Sequence, residues 1–256
     1  VLNKLLTSEQ VNVNLQGYGK MTALMYAVKS GSINHVKSLT EKLQSSELDL
    51  ADGFLQTPLH FATYLEMTKI ATHLINKGAR TNVFDYYKRS PMFIAVEKNM
   101  VTVVELMLKK NYQVDYQSPV KIPIQDLVYK TGEKVGEQIT KAYTALMKSC
   151  IETCDIMITQ LFIDYAANLN LQDSHGDHAL VHAARSCQVQ KVKLLIDSGS
   201  DKNLKNFRKE TALDVAIKVG CTSVQKYLKT EKEASCENEK EDLSSNSSSS
   251  QSINVP

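Results

Sequence analysis

Apolar and polar positions recur along the chain in blocks of similar design. Each block opens on a short motif: Thr22-Ala23-Leu24, Thr57-Pro58-Leu59, Ser90-Pro91-Met92, Thr144-Ala145-Leu146, His178-Ala179-Leu180 and Thr211-Ala212-Leu213. The motif starts are separated by 35, 33, 54, 34 and 33 residues. A small or apolar pair follows in phase, as Ala27-Val28, Ala62-Thr63, Ala95-Val96, Ala183-Ala184 and Ala216-Ile217. An apolar cluster comes next, as Ala71/Leu74/Ile75 or Leu194/Leu195/Ile196, and then a turn such as Lys77-Gly78-Ala79 or Ser198-Gly199-Ser200. An Asn or Asp stands eight residues before most motifs: Asn14, Asp49, Asn82, Asn170 and Asn203.

The pattern predicts two helices per block. A threonine or serine ahead of an apolar run caps a helix with its hydroxyl. Proline next suits the first helical position, where no amide donor is needed. Glycine after the apolar cluster ends the second helix in a left-handed conformation. Polar stretches such as Asn203-Leu204-Lys205-Asn206 then form projecting hairpins. No block can bury its apolar face alone, so the blocks must stack.

This arrangement resembles the ankyrin repeat, whose period is about 33 residues and whose signature reads T-P-L-H-x-A. Thr57-Pro58-Leu59-His60-Phe61-Ala62 matches every specified position. The resemblance covers residues 1–229 and implies an all-α solenoid of stacked helix-turn-helix units with projecting β-hairpin loops. Residues 1–14 read as the end of a unit, with Leu2, Leu5 and Leu6 on its second helix, so the chain is expected to be a piece cut from within an array. Units are expected near 22–56, 57–89, 90–122, 144–177, 178–210 and 211–229. The long interval holds 123–143, read as a truncated repeat because Asp115 and Gly132 keep the period; an insertion loop is the alternative. Residues 230–256, dense in charge and then in serine, cannot bury enough apolar area to fold and are expected to be disordered.

Composition narrows the function classes. With 43% hydrophobic residues and a net charge of +2, the chain has enough apolar content for a core and no global pull toward nucleic acid or anionic membrane. No run approaches the ~20 apolar residues of a membrane span. The five cysteines, Cys150, Cys154, Cys187, Cys221 and Cys236, form no CxxC motif and are expected to be reduced thiols of a cytoplasmic or nuclear protein. His175, Asp177, His178 and His182, with Cys187, are the candidate metal ligands. The repeat phase argues for structural histidines instead, because His178 stands where the motif threonine belongs. Cys150 and Cys154 read as packing thiols, and His60 as the structural histidine of the resembled family. GxSxG, Walker, GxGxxG and HExxH motifs are absent, and neither catalysis nor a cofactor is expected.

The resemblance implies binding through hairpin tips and the concave face of the first helices. By phase, the tips hold Tyr18, Phe54, Tyr86, Tyr87, Lys88, Arg89, His175, Asp177, Phe207 and Arg208. The groove holds Lys29, Tyr64, Glu97, Lys98, Glu152, Arg185 and Lys218. Tyrosine and arginine are favoured in binding hot spots, which singles out Asp85-Tyr86-Tyr87-Lys88-Arg89. The expectation is a monomeric scaffold or adaptor for a protein partner, with a targeting module of a larger enzyme, channel or signalling protein as the alternative.

Overall fold

A computed structural model describes residues 12–110, 112–121 and 140–229 of the 256. The described residues form six helix pairs. The first helices of the pairs are α1 (Ala23–Lys29), α3 (Pro58–Tyr64), α5 (Pro91–Glu97), α7 (Ala145–Ile151), α9 (Ala179–Arg185) and α11 (Ala212–Lys218). Their second helices are α2 (Ile33–Thr40), α4 (Thr68–Asn76), α6 (Val101–Lys109), α8 (Ile156–Asp164), α10 (Val189–Asp197) and α12 (222–229). First helices pack on first helices from α1 through α11, and second helices likewise from α2 through α10. This is the stacked solenoid that the repeat predicts.

The motif residues act as caps. The hydroxyls of Thr22, Ser90, Thr144 and Thr211 accept hydrogen bonds from the amides of Met25, Phe93, Met147 and Asp214 at 3.1–3.3 Å. Pro58 and Pro91 sit in the first turn of their helices. Ala27, Ala62, Ala95, Ala183 and Ala216 are buried, which lets adjacent helices approach closely. Leu24, Leu59, Met92, Leu146 and Leu180 run through one continuous core. In α12, Val224 and Leu228 face inward while most of the remainder is exposed, as suits a terminal cap.

The phase-keeping Asn and Asp residues staple one unit to the next. Asp49 accepts from the Arg80 amide (3.0 Å), and Asn170 from the Asp201 amide (2.9 Å). Asp115 accepts from the Asn168 amide at 2.8 Å, so it serves the unit beginning at Thr144 and not one beginning at 123. Consistently, α5 packs directly on α7, and α6 on α8. The expected truncated repeat at 123–143 falls mostly outside the described residues, but its flanks place it. Strands β1 (Ser118–Lys121) and β2 (Thr140–Tyr143) pair antiparallel, Ser118 opposite Tyr143. They occupy the phase of a hairpin. Among the described residues, no further helix pair stands between α5/α6 and α7/α8. Residues 1–11 and the 230–256 tail lie outside the described residues.

One expectation about cysteine is overturned. Cys187 and Cys221 form a disulfide, with Cα atoms 5.7 Å apart. Cys187 occupies the left-handed turn between α9 and α10 (φ 56°), and Cys221 follows the same turn of the next unit, at Gly220. Stacking superposes the two turns and so brings the sulfurs together. Cys150 and Cys154 are free.

Candidate functional site

Hairpins project from the stack at 17–21, 52–56, 85–89, 173–177 and 206–210. Each is closed by a backbone hydrogen bond between its first and fifth residues, 2.9–3.0 Å long. In four of them the first residue is Asp52, Asp85, Asp173 or Asn206, which is buried and accepts backbone amides from its own turn. This local bonding pattern makes the hairpin rigid. Adjacent hairpins are tied in a ladder: the Gly53 amide to Gly19 O, Tyr86 to Phe54 O, and Phe207 to His175 O. His60 adds a further tie. Its Nδ1 accepts from the Thr57 amide (3.1 Å), and its Nε2 donates to Arg89 O (3.1 Å). Burial holds this imidazole below its usual pKa, in the neutral form that such bonding requires.

Most tip residues project as the phase predicts. Tyr18 is 96% exposed, Phe207 71%, and Phe54, Tyr86, Tyr87 and Arg208 are also exposed. Lys88, Arg89 and His175 are half-buried. Asp177 corrects the expectation, since it is only 3% exposed. Its carboxylate pairs with Arg185 (2.7 Å) and accepts from Asn206 Nδ2 (2.8 Å), which turns it inward across the unit boundary. Arg89 is also committed internally. Its guanidinium grips the fully buried Asp85 carboxylate through Nε (3.1 Å) and Nη2 (2.9 Å).

On the groove face, Lys29, Tyr64, Glu97, Arg185 and Lys218 are exposed, and Lys98 and Glu152 are half-buried. The first three units form an aromatic and cationic strip. Lys29 Nζ lies over the Phe61 ring (5.4 Å). Tyr64, 50% exposed, carries Lys98 Nζ at 5.4 Å and Arg89 Cζ at 5.9 Å from its ring centre. Arg89 also covers Tyr87 at 5.1 Å, and Tyr87 meets Tyr86 edge-on at 5.5 Å. The strip thus runs from groove to tip without a break. Exposed Tyr26 on α1 and Leu55 on the second hairpin belong to the same face and escape phase-based selection. Tyr26 shares its phase with Phe61, a signal that was available. Beyond the strip, Lys148 bridges Glu97 (3.6 Å) and Glu152 (2.7 Å), Arg185 takes Asp177, and Lys218 takes Glu210.

The candidate metal ligands do not converge as a set. Asp173, Asp177 and His182 place ligand atoms within 4.8 Å of one another, but each is engaged by protein. Asp173 Oδ1 accepts the His175 and Asp177 amides, and Oδ2 meets His182 Nε2 at 3.1 Å. Burial pushes the Asp173 carboxyl up, but the bonds from His182 and the two amides outweigh it and hold the group below its usual range. Tyr143 packs edge-on against His182. His178 is buried, its ring nitrogens have no hydrogen-bond partner of normal geometry among the described residues, and burial holds it neutral against a weaker pull from the Asp201 backbone. Burial likewise pushes the Cys150 thiol up to about 12 and raises Cys154, leaving neither ionised near neutrality.

Comparison with known proteins agrees with this geometry. Mouse B-cell lymphoma 3 protein homolog is 25% identical over 213 residues, covering 76% of this chain and 48% of its own length. Alpha-latrotoxin-Lg1a of Latrodectus geometricus is 26% identical over 214 residues, 83% of this chain and 14% of the toxin. Human transient receptor potential cation channel subfamily A member 1 is 32% identical over 143 residues, 42% of this chain and 13% of the channel. The chain therefore spans less than half the length of each of these relatives. Among solved structures, an ankyrin-repeat protein aligns with TM-score 0.64 at 22% identity, over 86% of this chain and 98% of the other. A chain from the complex of a predatory endopeptidase of Bdellovibrio bacteriovorus with its immunity protein aligns with TM-score 0.64 at 23% identity, over 82% and 98%. The family model described as ankyrin repeats (3 copies) matches residues 40–118 and 124–206. With the capped helix pairs, the inter-unit staples and the hairpin ladders all in this phase, the chain belongs to the ankyrin-repeat family.

Proposed function

We propose that this chain is a protein-interaction scaffold or adaptor that works by binding and not by catalysis, through its hairpin tips and concave groove. The observation that carries the reading is the continuous strip of Tyr64, Lys98, Arg89, Tyr87 and Tyr86 on a rigid, hydrogen-bonded frame. Aromatic rings supply large contact area at low entropic cost, and a preformed frame spares the cost of ordering on association. No helix among the described residues is long and apolar enough to cross a membrane, and we propose a monomeric array with no role for nucleic acid. We also propose a cytoplasmic or nuclear setting, against which the Cys187–Cys221 bond stands, because reducing compartments rarely keep such a bond.

The test is affinity capture with quantitative mass spectrometry on the parent and on the variant Tyr64→Ala/Tyr86→Ala/Tyr87→Ala, after thermal unfolding shows both folded. Loss of the same partner from the variant supports the surface; equal recovery by both forms overturns it. A second reading, a targeting module within a larger protein, rests on relatives that include a channel of which this chain covers 13%. In that reading the captured partner localises the larger protein, and sequencing of the full reading frame reveals the attached domain.

A further inference from the structure

The charge balance of the strip points to the chemistry of its partner. In the first three hairpins the acids, Asp52 and Asp85, are buried and bonded within their own turns. On those tips Lys20 is exposed, among Tyr18, Phe54, Tyr86 and Tyr87. Helices α1 and α3 contain no acidic residue at all, and present Tyr26, Lys29, Phe61 and Tyr64. Lys29 is exposed and rests on a ring, with no carboxylate bonded to it among the described residues. Glu66 pairs with Lys98 at 3.5 Å. In the last two units Arg185 and Lys218 are each bonded to a carboxylate of the chain itself, as Lys98 is to Glu66 and Lys148 to Glu97; Lys29 and Lys20 have no such partner among the described residues.

From this imbalance we infer that the groove and tips of the first three units bind an acidic, aromatic- or aliphatic-bearing peptide segment in extended form. The inference rests on the scaffold reading and specifies its ligand. Carboxylates of the segment meet Lys29 and Lys20, while its apolar side chains lie on Tyr26, Phe61 and Tyr64. Neighbouring helices pack about 8–10 Å apart, so three units span about 20 Å. An extended chain covers that distance in about six residues. Opposite charge across such a face raises the association rate and excludes basic competitors.

The probe is a phage-displayed random library of peptides about twelve residues long, twice the required span. It is panned on the full chain and on Lys29→Glu. Enriched peptides are then measured by fluorescence polarisation beside isosteres in which every Asp and Glu is replaced by Asn and Gln. The expected result is enrichment of net-negative peptides with at least one large apolar residue. Their affinity should fall about tenfold in the amide isostere and about tenfold in Lys29→Glu, and should change little in Lys29→Arg. Lys20→Glu serves as a second exposed variant should Lys29→Glu fold poorly. Enrichment of neutral or basic peptides, insensitivity to Lys29→Glu, or no enrichment on the parent overturns the inference. A partner captured through the tyrosines but held equally well by Lys29→Glu overturns the acidic class alone and leaves the scaffold reading standing.

Discussion

In the first three units the groove presents Tyr26, Phe61 and Tyr64, with Lys29 and Lys98 lying over rings. In the last two units the groove presents Arg185 and Lys218, and both end on carboxylates of the chain itself. The hairpins divide in the same way. The first three form one ladder and the last two another, and the β1/β2 hairpin with its extra residues stands between them. The difference teaches that repeat phase assigns a side chain its place but not its task. The C-terminal half spends its polar groups on inter-unit locks, namely Asp177–Arg185, Asp177–Asn206 and Cys187–Cys221.

The largest effect that tests this contrast concerns the disulfide. It closes a separation of 34 residues, for which loop entropy corresponds to about 3–4 kcal/mol of stability. Replacing Cys187 by Ser and Cys221 by Ala is expected to lower urea stability by that order. Hydrogen exchange should show the added opening in α9 to α12 and leave α1 to α6 as protected as before. Loss spread evenly over the array would erase the distinction between the halves.

A smaller loss is expected from the hairpins. Gly176 has φ +76°, and a Cβ there would fall 2.6 Å from the Phe207 amide nitrogen. Gly176→Ala therefore strains its own backbone and pushes the second ladder apart, at about 2 kcal/mol. Its counterpart in the first ladder is Asp85→Ala, which removes the acceptor of the Arg89 amide and guanidinium. Arg89 is partly solvated, so about 1–2 kcal/mol is expected there. Chemical denaturation of both variants checks the order. Arg89→Ala is a poor probe of binding for the same reason, since it disturbs the hairpin that presents Tyr86 and Tyr87.

Much of this was legible in the sequence, and the failures share a cause. Helix starts, second helices and the hairpin phase each occur five or six times, so one departure cannot hide the rule. His178 lacks a capping hydroxyl and still opens α9 on schedule. What occurs once is harder to place. The extra residues between Ser90 and Thr144 shift the phase of a single interval, and Asp115 then points to a unit start at 123 while bonding the one that begins at Thr144. The partners of Cys187 and Asp177 lie 34 and 29 residues away, and only the pitch of the stack brings them near. Arg89, placed at a tip by phase, is held by Asp85, which is hidden beneath it.

A graded effect should come from pH. His60, in the first half, and His178, in the second, have pKa values lowered by burial from an ordinary value of 6.5. Both bind a proton more weakly folded than unfolded. Their contribution is complete above the unfolded value and is lost as pH falls below it toward the folded one. Asp173 is lowered from 3.8, so its contribution is complete above that value and is lost as pH falls through its lower folded value. Between pH 7 and 5 both halves should therefore weaken, and below pH 4 the C-terminal half should weaken further. Thermal unfolding across pH, resolved by hydrogen exchange, checks the two windows.

The smallest expected effect on stability carries the most about function. Tyr64 is half exposed at the last position of α3, with Arg89 and Lys98 over its ring. Tyr64→Ala should therefore change stability by no more than about 0.5 kcal/mol, as for other surface sites. The same change should weaken partner binding about tenfold, because it removes the ring that joins groove to tip. Lys218→Ala makes the comparison from the other half: it frees Glu210 and exposes no ring, and binding should stay unchanged. If calorimetry of a captured partner finds Lys218 more important than Tyr64, the binding surface lies in the ion-paired half, and the charge argument for the first three units fails with it.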